Sequence, residues 1–129
     1  MKGTLHHIEI YVSDINKSKD FWGWLLKELG YTEYQSWSQG ISYILDKTYI
    51  VFVQVEERYL DIPYHRCRAG LNHLAFHGES IEFVDEMTVK LKKRGVEILY
   101  EDKHPYAGGP DYYAVFFEDP DRMKVEITV

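Results

Sequence analysis

The sequence predicts an α+β fold, two βαβββ modules forming a mixed curved sheet around a cleft with two helices outside. Three observations predict it. Leu5-His6-His7-Ile8-Glu9-Ile10 recurs as Leu71-Asn72-His73-Leu74-Ala75-Phe76, 66 residues further on. Each copy runs directly into an apolar pattern of helical period that a glycine closes. Each helix is then followed by three strand-like stretches. A curved half-sheet that cannot close alone is expected to pair with its copy and leave a cleft between them.

The elements follow in order. In module one, residues 4–56, the first strand leads to Asp14, an N-cap by residue type and position. Phe21, Trp24, Leu25 and Leu29 form the helical stripe, and Gly30 stops it. Tyr31–Trp37, Ile41–Leu45 and Tyr49–Val55 read as strands, with Asp46-Lys47 as a turn. A linker occupies 57–69. In module two, residues 70–129, Ser80 caps, Ile81, Val84, Met87 and Leu91 form the stripe, and Gly95 ends it. Glu97–Tyr100, Tyr112–Phe117 and Lys124–Thr128 complete the strands, the last two joined by Asp119-Pro120-Asp121-Arg122. The modules together make a single domain over residues 1–129.

Composition bounds the function. At 129 residues, 45% apolar and 28% charged, the chain has the balance of a soluble globular domain. Fifteen basic residues against 21 acidic ones give a net charge of −6, which argues against a nucleic-acid binder. Apolar runs such as Tyr49–Val53 are too short to span a bilayer. Met1-Lys2-Gly3-Thr4-Leu5-His6-His7 lacks the apolar stretch of a secretory signal. The lone Cys67 cannot form an internal disulfide. The expectation is a cytoplasmic protein without membrane or nucleic-acid partners.

Side chains alternate across a strand. His6, Ile8, Ile10 and Val12 then face a helix-packed core, and His7, Glu9 and Tyr11 face the other way. Leu74 and Phe76 take the core face of the repeat strand, leaving His73 and His77 opposite. Val125 and Ile127 alternate with Glu126 in the last strand. His7, His73 and Glu126 thus mark one face in three strands, the two histidines at repeat-related positions. Two imidazoles and a carboxylate on rigid strands are the parts of a facial metal site with open positions. Fe, Mn, Ni or Zn as the divalent ion would suit it. In module one the place of Glu126 reads as Phe52, with Gln54 two residues on along the same face. Phe52 cannot ligate, and Gln54 offers at most a neutral oxygen.

These residues resemble the vicinal oxygen chelate superfamily, also called glyoxalase/bleomycin resistance protein/dioxygenase. The carriers are His7-Ile8-Glu9-Ile10-Tyr11-Val12-Ser13-Asp14 with Ser18 and Phe21-Trp22, Gly70-Leu71-Asn72-His73-Leu74-Ala75-Phe76, and Phe116-Phe117-Glu118-Asp119-Pro120-Asp121 leading to Val125-Glu126-Ile127. The resemblance spans Leu5 to Thr128. It implies paired modules around a metal-binding cleft, a divalent ion held by His7, His73 and Glu126, and a substrate that chelates the ion through adjacent oxygens. Glyoxalase I-like members usually carry a carboxylate where Phe52 is read, which counts against that lyase chemistry. The retained His, His, Glu set is similar to ring-cleaving dioxygenases. Arg122 stands where the family usually has glycine.

Around such an ion, Tyr113 and His104 are the candidate catalytic groups. Tyr113 opens the penultimate strand, with Tyr112 turned to the core, although strand parity leaves open which tyrosine takes which side. His104 rides on the loop His104-Pro105-Tyr106-Ala107-Gly108-Gly109-Pro110-Asp111, placed to lid the cleft. Glu9, Phe52, Gln54 and His77 are expected to line the cleft, His77 nearer its mouth. His65-Arg66-Cys67-Arg68 reads as a solvated linker, and Phe21-Trp22-Gly23-Trp24 as core.

Two classes of function follow. The first is a metal-dependent enzyme acting on a small chelating substrate, with ring-cleaving dioxygenase-like or isomerase/lyase-like chemistry. The second is a metal-free protein of the bleomycin-resistance kind that sequesters a ligand in an acidic, aromatic cleft. A pure sequestering cleft has no use for the His, His, Glu set. An antibiotic-modifying transferase similar to fosfomycin resistance proteins would use the same set, together with cation- and phosphate-binding groups that the sequence does not mark. The superfamily implies a homodimer, with the cleft within one chain or shared between two.

Overall fold

The computed structural model describes residues 2–129. The chain divides into two compact units, one ending at Pro63 and the other spanning Tyr64–Val129. The first contains β1 (His7–Val12), α1 (Ile15–Glu28), β2 (Thr32–Trp37), β3 (Gly40–Leu45) and β4 (Thr48–Gln54). A short 3-10 turn at Glu57–Tyr59 follows. The second contains β5 (His73–His77), α2 (Ile81–Lys93), β6 (Ile98–Leu99), β7 (Ala114–Glu118) and β8 (Lys124–Thr128).

Each unit builds its own four-stranded mixed sheet, in the order β1-β4-β3-β2 and β5-β8-β7-β6. The first and last strands of each unit pair in parallel, and the other pairs are antiparallel. A parallel pair needs a crossover between its strands, and here the helix and two intervening strands supply it. The last strand of each unit therefore lies between the first strand and the third.

The helix ends show how local chemistry sets the elements. The Asp14 carboxylate accepts from the backbone N–H groups of Asn16 and Lys17, and Ser80 Oγ accepts from Phe83 N–H. At the far end Gly30 and Gly95 take positive φ angles of 93° and 76°. Tyr31 N–H then reaches Leu26 O at 2.8 Å, and Val96 N–H reaches Leu91 O at 3.0 Å. The same helix stop is used twice, with backbone angles that glycine adopts without steric cost.

Each helix buries one face on its sheet. In α1 the buried side chains include Phe21, Trp22, Leu25 and Leu26, and Trp22 rather than Trp24 is the central one, stacked on Phe52 at 4.9 Å. In α2 they are Val84, Met87, Thr88 and Leu91, while Ile81 is exposed. The turn between β7 and β8 is tied by Asp119 Oδ1, which accepts from Asp121 and Met123 N–H at 2.8 Å each. Arg122 in that turn has φ 63°, in the left-handed region that favours glycine.

Candidate metal centre

The second unit brings two of the three expected ligands together. His73 opens β5, and Glu126 lies on the neighbouring central strand β8, across from Ala75. Their side chains share the sheet face away from α2, since Leu74, Phe76, Val125 and Ile127 occupy the other positions. Glu126 is 2% exposed. Its Oε2 lies 3.2 Å from His73 Nε2. The other ring nitrogen, His73 Nδ1, is 2.7 Å from Asn72 Oδ1. An amide oxygen at Nδ1 calls for a proton on that nitrogen, which leaves Nε2 facing the carboxylate. A cation between the two groups, a proton or a metal ion, satisfies both. Adjacent ligands on a divalent ion with bonds of about 2.1 Å stand roughly 3 Å apart, so the observed spacing fits one. A second partner that fixes the ring in this way is usual for metal-binding histidines.

The remaining carboxylate oxygen, Glu126 Oε1, accepts a hydrogen bond from the Tyr112 hydroxyl. That bond and burial raise the Tyr112 phenol above its ordinary range, while a hydrogen bond with Thr128 works in the opposite direction. Phe116 lies across from Glu126 in β7 and so shares its face. Lys124, two residues before Glu126, holds its ammonium over the Tyr100 ring at 5.6 Å and the Phe116 ring at 5.9 Å. This cation is an added feature of the site face that the sequence reading did not single out.

In the first unit His7 lies on the face of β1 away from α1 and stacks on Tyr49, with ring centroids 4.7 Å apart and planes 4° from parallel. Its Nδ1 is 2.9 Å from His6 Nδ1. Glu9 is exposed on the same face. His77, exposed, shares the face of His73 at the far end of β5, opposite Thr128. Among the described residues, no group of three or more His, Cys, Asp and Glu side chains is gathered in one chain to hold a metal ion.

Four expectations are corrected. Tyr113 does not face the carboxylate; its hydroxyl donates to Asp85 on α2, and that bond, with burial, pushes its pKa up to about 12. His104 is also turned toward α2, where burial and Lys92 lower its pKa against the opposing pull of Asp85 and Glu101. Strand β7 begins only at Ala114, so the alternation assumed for residues 112 and 113 does not apply. Tyr112, rather than its neighbour, faces the carboxylate. Phe52 and Gln54 are likewise not cleft residues. Phe52 is fully buried against Trp22, and Gln54 Oε1 accepts from Ile15 N–H while its Nε2 donates to Ser13 O.

The slip is one residue in strand alignment. Glu9 pairs with Val51 as Ala75 pairs with Glu126, so Val51 is the true counterpart of Glu126. Valine cannot ligate either, and module one still lacks the second carboxylate. In the segment before β5, Arg66 pairs with Glu118 at 2.6 Å and donates to Arg122 O, a structural tie. Cys67 is exposed.

A duplicated βαβββ unit with an imidazole–carboxylate pair on its open sheet face defines a class, and the comparisons agree with it. The family model of the Glyoxalase/Bleomycin resistance protein/Dioxygenase superfamily matches residues 4–127, and the chain belongs to that superfamily. A solved structure of a glyoxalase-like protein from Bacillus halodurans is 62% identical, with a TM-score of 0.98, covering 98% of this chain and 96% of its own. The glutathione transferase FosA of Serratia marcescens is 30% identical over 129 residues, all of this chain and 82% of that protein. A variant of the fosfomycin resistance protein FosX of Listeria monocytogenes is 27% identical, with a TM-score of 0.68. It covers 99% of this chain and 90% of its own, and it was solved with Mn(II) and 1S,2S-dihydroxypropylphosphonic acid. No helix among the described residues is long and apolar enough to cross a membrane.

Proposed function

We propose that this protein is a divalent-metal-dependent enzyme that binds a small substrate through adjacent oxygens and promotes nucleophilic addition to it. His73 and Glu126 hold the ion, with His7 of a second copy in a homodimer as the third ligand. The observation that carries the reading is the 3.2 Å approach of His73 Nε2 to Glu126 Oε2, with His73 Nδ1 already engaged by Asn72. A bound ion supplies Lewis-acid polarisation of the substrate oxygens. The chain's own groups do the rest. Tyr112 holds its proton on the hydroxyl beside Glu126 and orients the carboxylate. Lys124 stands on the same face, where it can attract an anionic substrate group.

The relatives bear on the chemistry. FosA is named for glutathione transfer, and the FosX ligand carries adjacent hydroxyls. Both favour addition over the ring-cleaving and isomerase/lyase alternatives suggested by the sequence. The metal-free sequestering reading leaves the His73–Glu126–Asn72 arrangement without a purpose.

Elemental analysis of protein purified without added metal or chelator tests the proposal. About one first-row ion per chain is expected, manganese binding on reconstitution, with affinity falling by about 10- to 100-fold or more in His73→Ala and Glu126→Gln. Absence of binding after reconstitution with Mn, Fe, Ni and Zn in turn would overturn it.

A further inference from the structure

The first unit carries a second recess, of about 510 Å³, on the side of its sheet that α1 covers. It is therefore on the opposite face from His7 and Glu9. Its size falls within the range of small-molecule pockets. Lys19, Gly23 and Lys27 of α1 form one wall, Tyr31 and Glu33 the other, and Ile41 and Tyr43 of β3 the floor.

Three features make this recess more than a surface fold. Tyr43 is 6% exposed, yet its hydroxyl has no hydrogen-bond partner among the described residues. The hydroxyl itself reaches the recess and so presents a free donor there. Opposite it stands Gly23, in the interior of a helix, where glycine is a poor choice for stability. A Cβ there would lie 3.1 Å from the Tyr43 hydroxyl, so the missing side chain keeps that hydroxyl open to the recess. Lys19 and Lys27 flank the glycine, about 12 Å apart along the helix axis. Neither ammonium has an ion-pair partner among the described residues. Burial and the nearby Glu33 push the Tyr43 phenol up to about 12, so it remains a proton donor at any ordinary pH.

The geometry points to a binding site for a small amphipathic carboxylate, independent of the metal centre. Its apolar body lies on Ile41 and Tyr31, a polar atom accepts from the Tyr43 hydroxyl, and its carboxylate meets Lys19 or Lys27. Glu33 on the rim disfavours a second negative charge near β2.

The full-length protein titrated with 2-naphthoate by calorimetry tests this, with neutral 2-naphthamide as the matched control. Saturable binding is expected, about tenfold weaker for the amide and for the Lys19→Gln/Lys27→Gln double variant, because a charge-assisted contact is lost. Tyr43→Phe and Gly23→Ala are expected to weaken it by at least about threefold, the first by removing the donor and the second by crowding it. Thermal melts verify that each variant is folded, and amide NMR shifts should concentrate in residues 19–43. The proposal is overturned by absence of saturable binding, by equal affinity for acid and amide, or by shifts centred on residues 73 and 126. It is equally overturned if the lysine variant changes the oligomeric state, since the recess would then be an interface between chains.

Discussion

Arg122 holds a backbone angle that costs an ordinary residue about 1 kcal/mol or more. Its compensation is thin, since the side chain is mostly exposed and the Glu118 oxygen it approaches at 3.3 Å is already paired with Arg66 at 2.6 Å. Arg122→Gly is therefore expected to raise stability by up to about 1 kcal/mol, read as an increase in Tm. A lower Tm would mean that the Glu118 contact outweighs the strain. At this scale the placement of His73 and Glu126 on one face was legible because strand parity governs both. Tyr112 was not, because it sits in a turn outside β7, where a difference of one residue decides between Glu126 and Asp85. Asn72 was visible in the motif, but its role depends on a side-chain contact that no spacing reveals.

The helices were the most readable elements. Asp14, Ser80, Gly30 and Gly95 carry their own signals, and all four occupy the positions those signals imply. The strands of module one were readable as strands, but β4 was aligned one residue off its repeat, which turned Phe52 and Gln54 to the wrong face. Period-two alternation makes any such slip exchange the two faces completely. Strand β3 leads to a prediction of its own. Tyr43 has a folded pKa of about 12 against an ordinary 10.0, raised by burial and then by Glu33. Below pH 10 both folded and unfolded chains keep the proton, so stability is undiminished. Between pH 10 and 12 the unfolded chain ionises first, and stability falls. The Tm of the wild type should drop more steeply across that window than that of Tyr43→Phe; parallel curves would count against a buried phenol.

At the scale of the molecule, the internal repeat made the architecture legible, since two copies of strand, cap, helix, glycine and strands leave few alternatives. What the repeat does not encode is which copy of the chain would supply His7 to the proposed site. The proposed homodimer makes a quantitative prediction. His7→Ala and Glu126→Gln chains, each defective in metal binding, should recover about a quarter of the sites when mixed and allowed to exchange, because half of the dimers are hybrids with one intact site of two. No recovery would place all three ligands in a single chain.

The placement of the last strand at the middle of each sheet bears on the order in which the chain emerges from the ribosome. Module one has every strand it needs once residue 54 is made, while β5 and β7 of module two lack the strand that joins them until β8 is synthesised. Glu126 is the middle residue of that strand. During synthesis the His73–Glu126 pair therefore comes together only with β8, and the proposed ion site cannot form before its sheet can close.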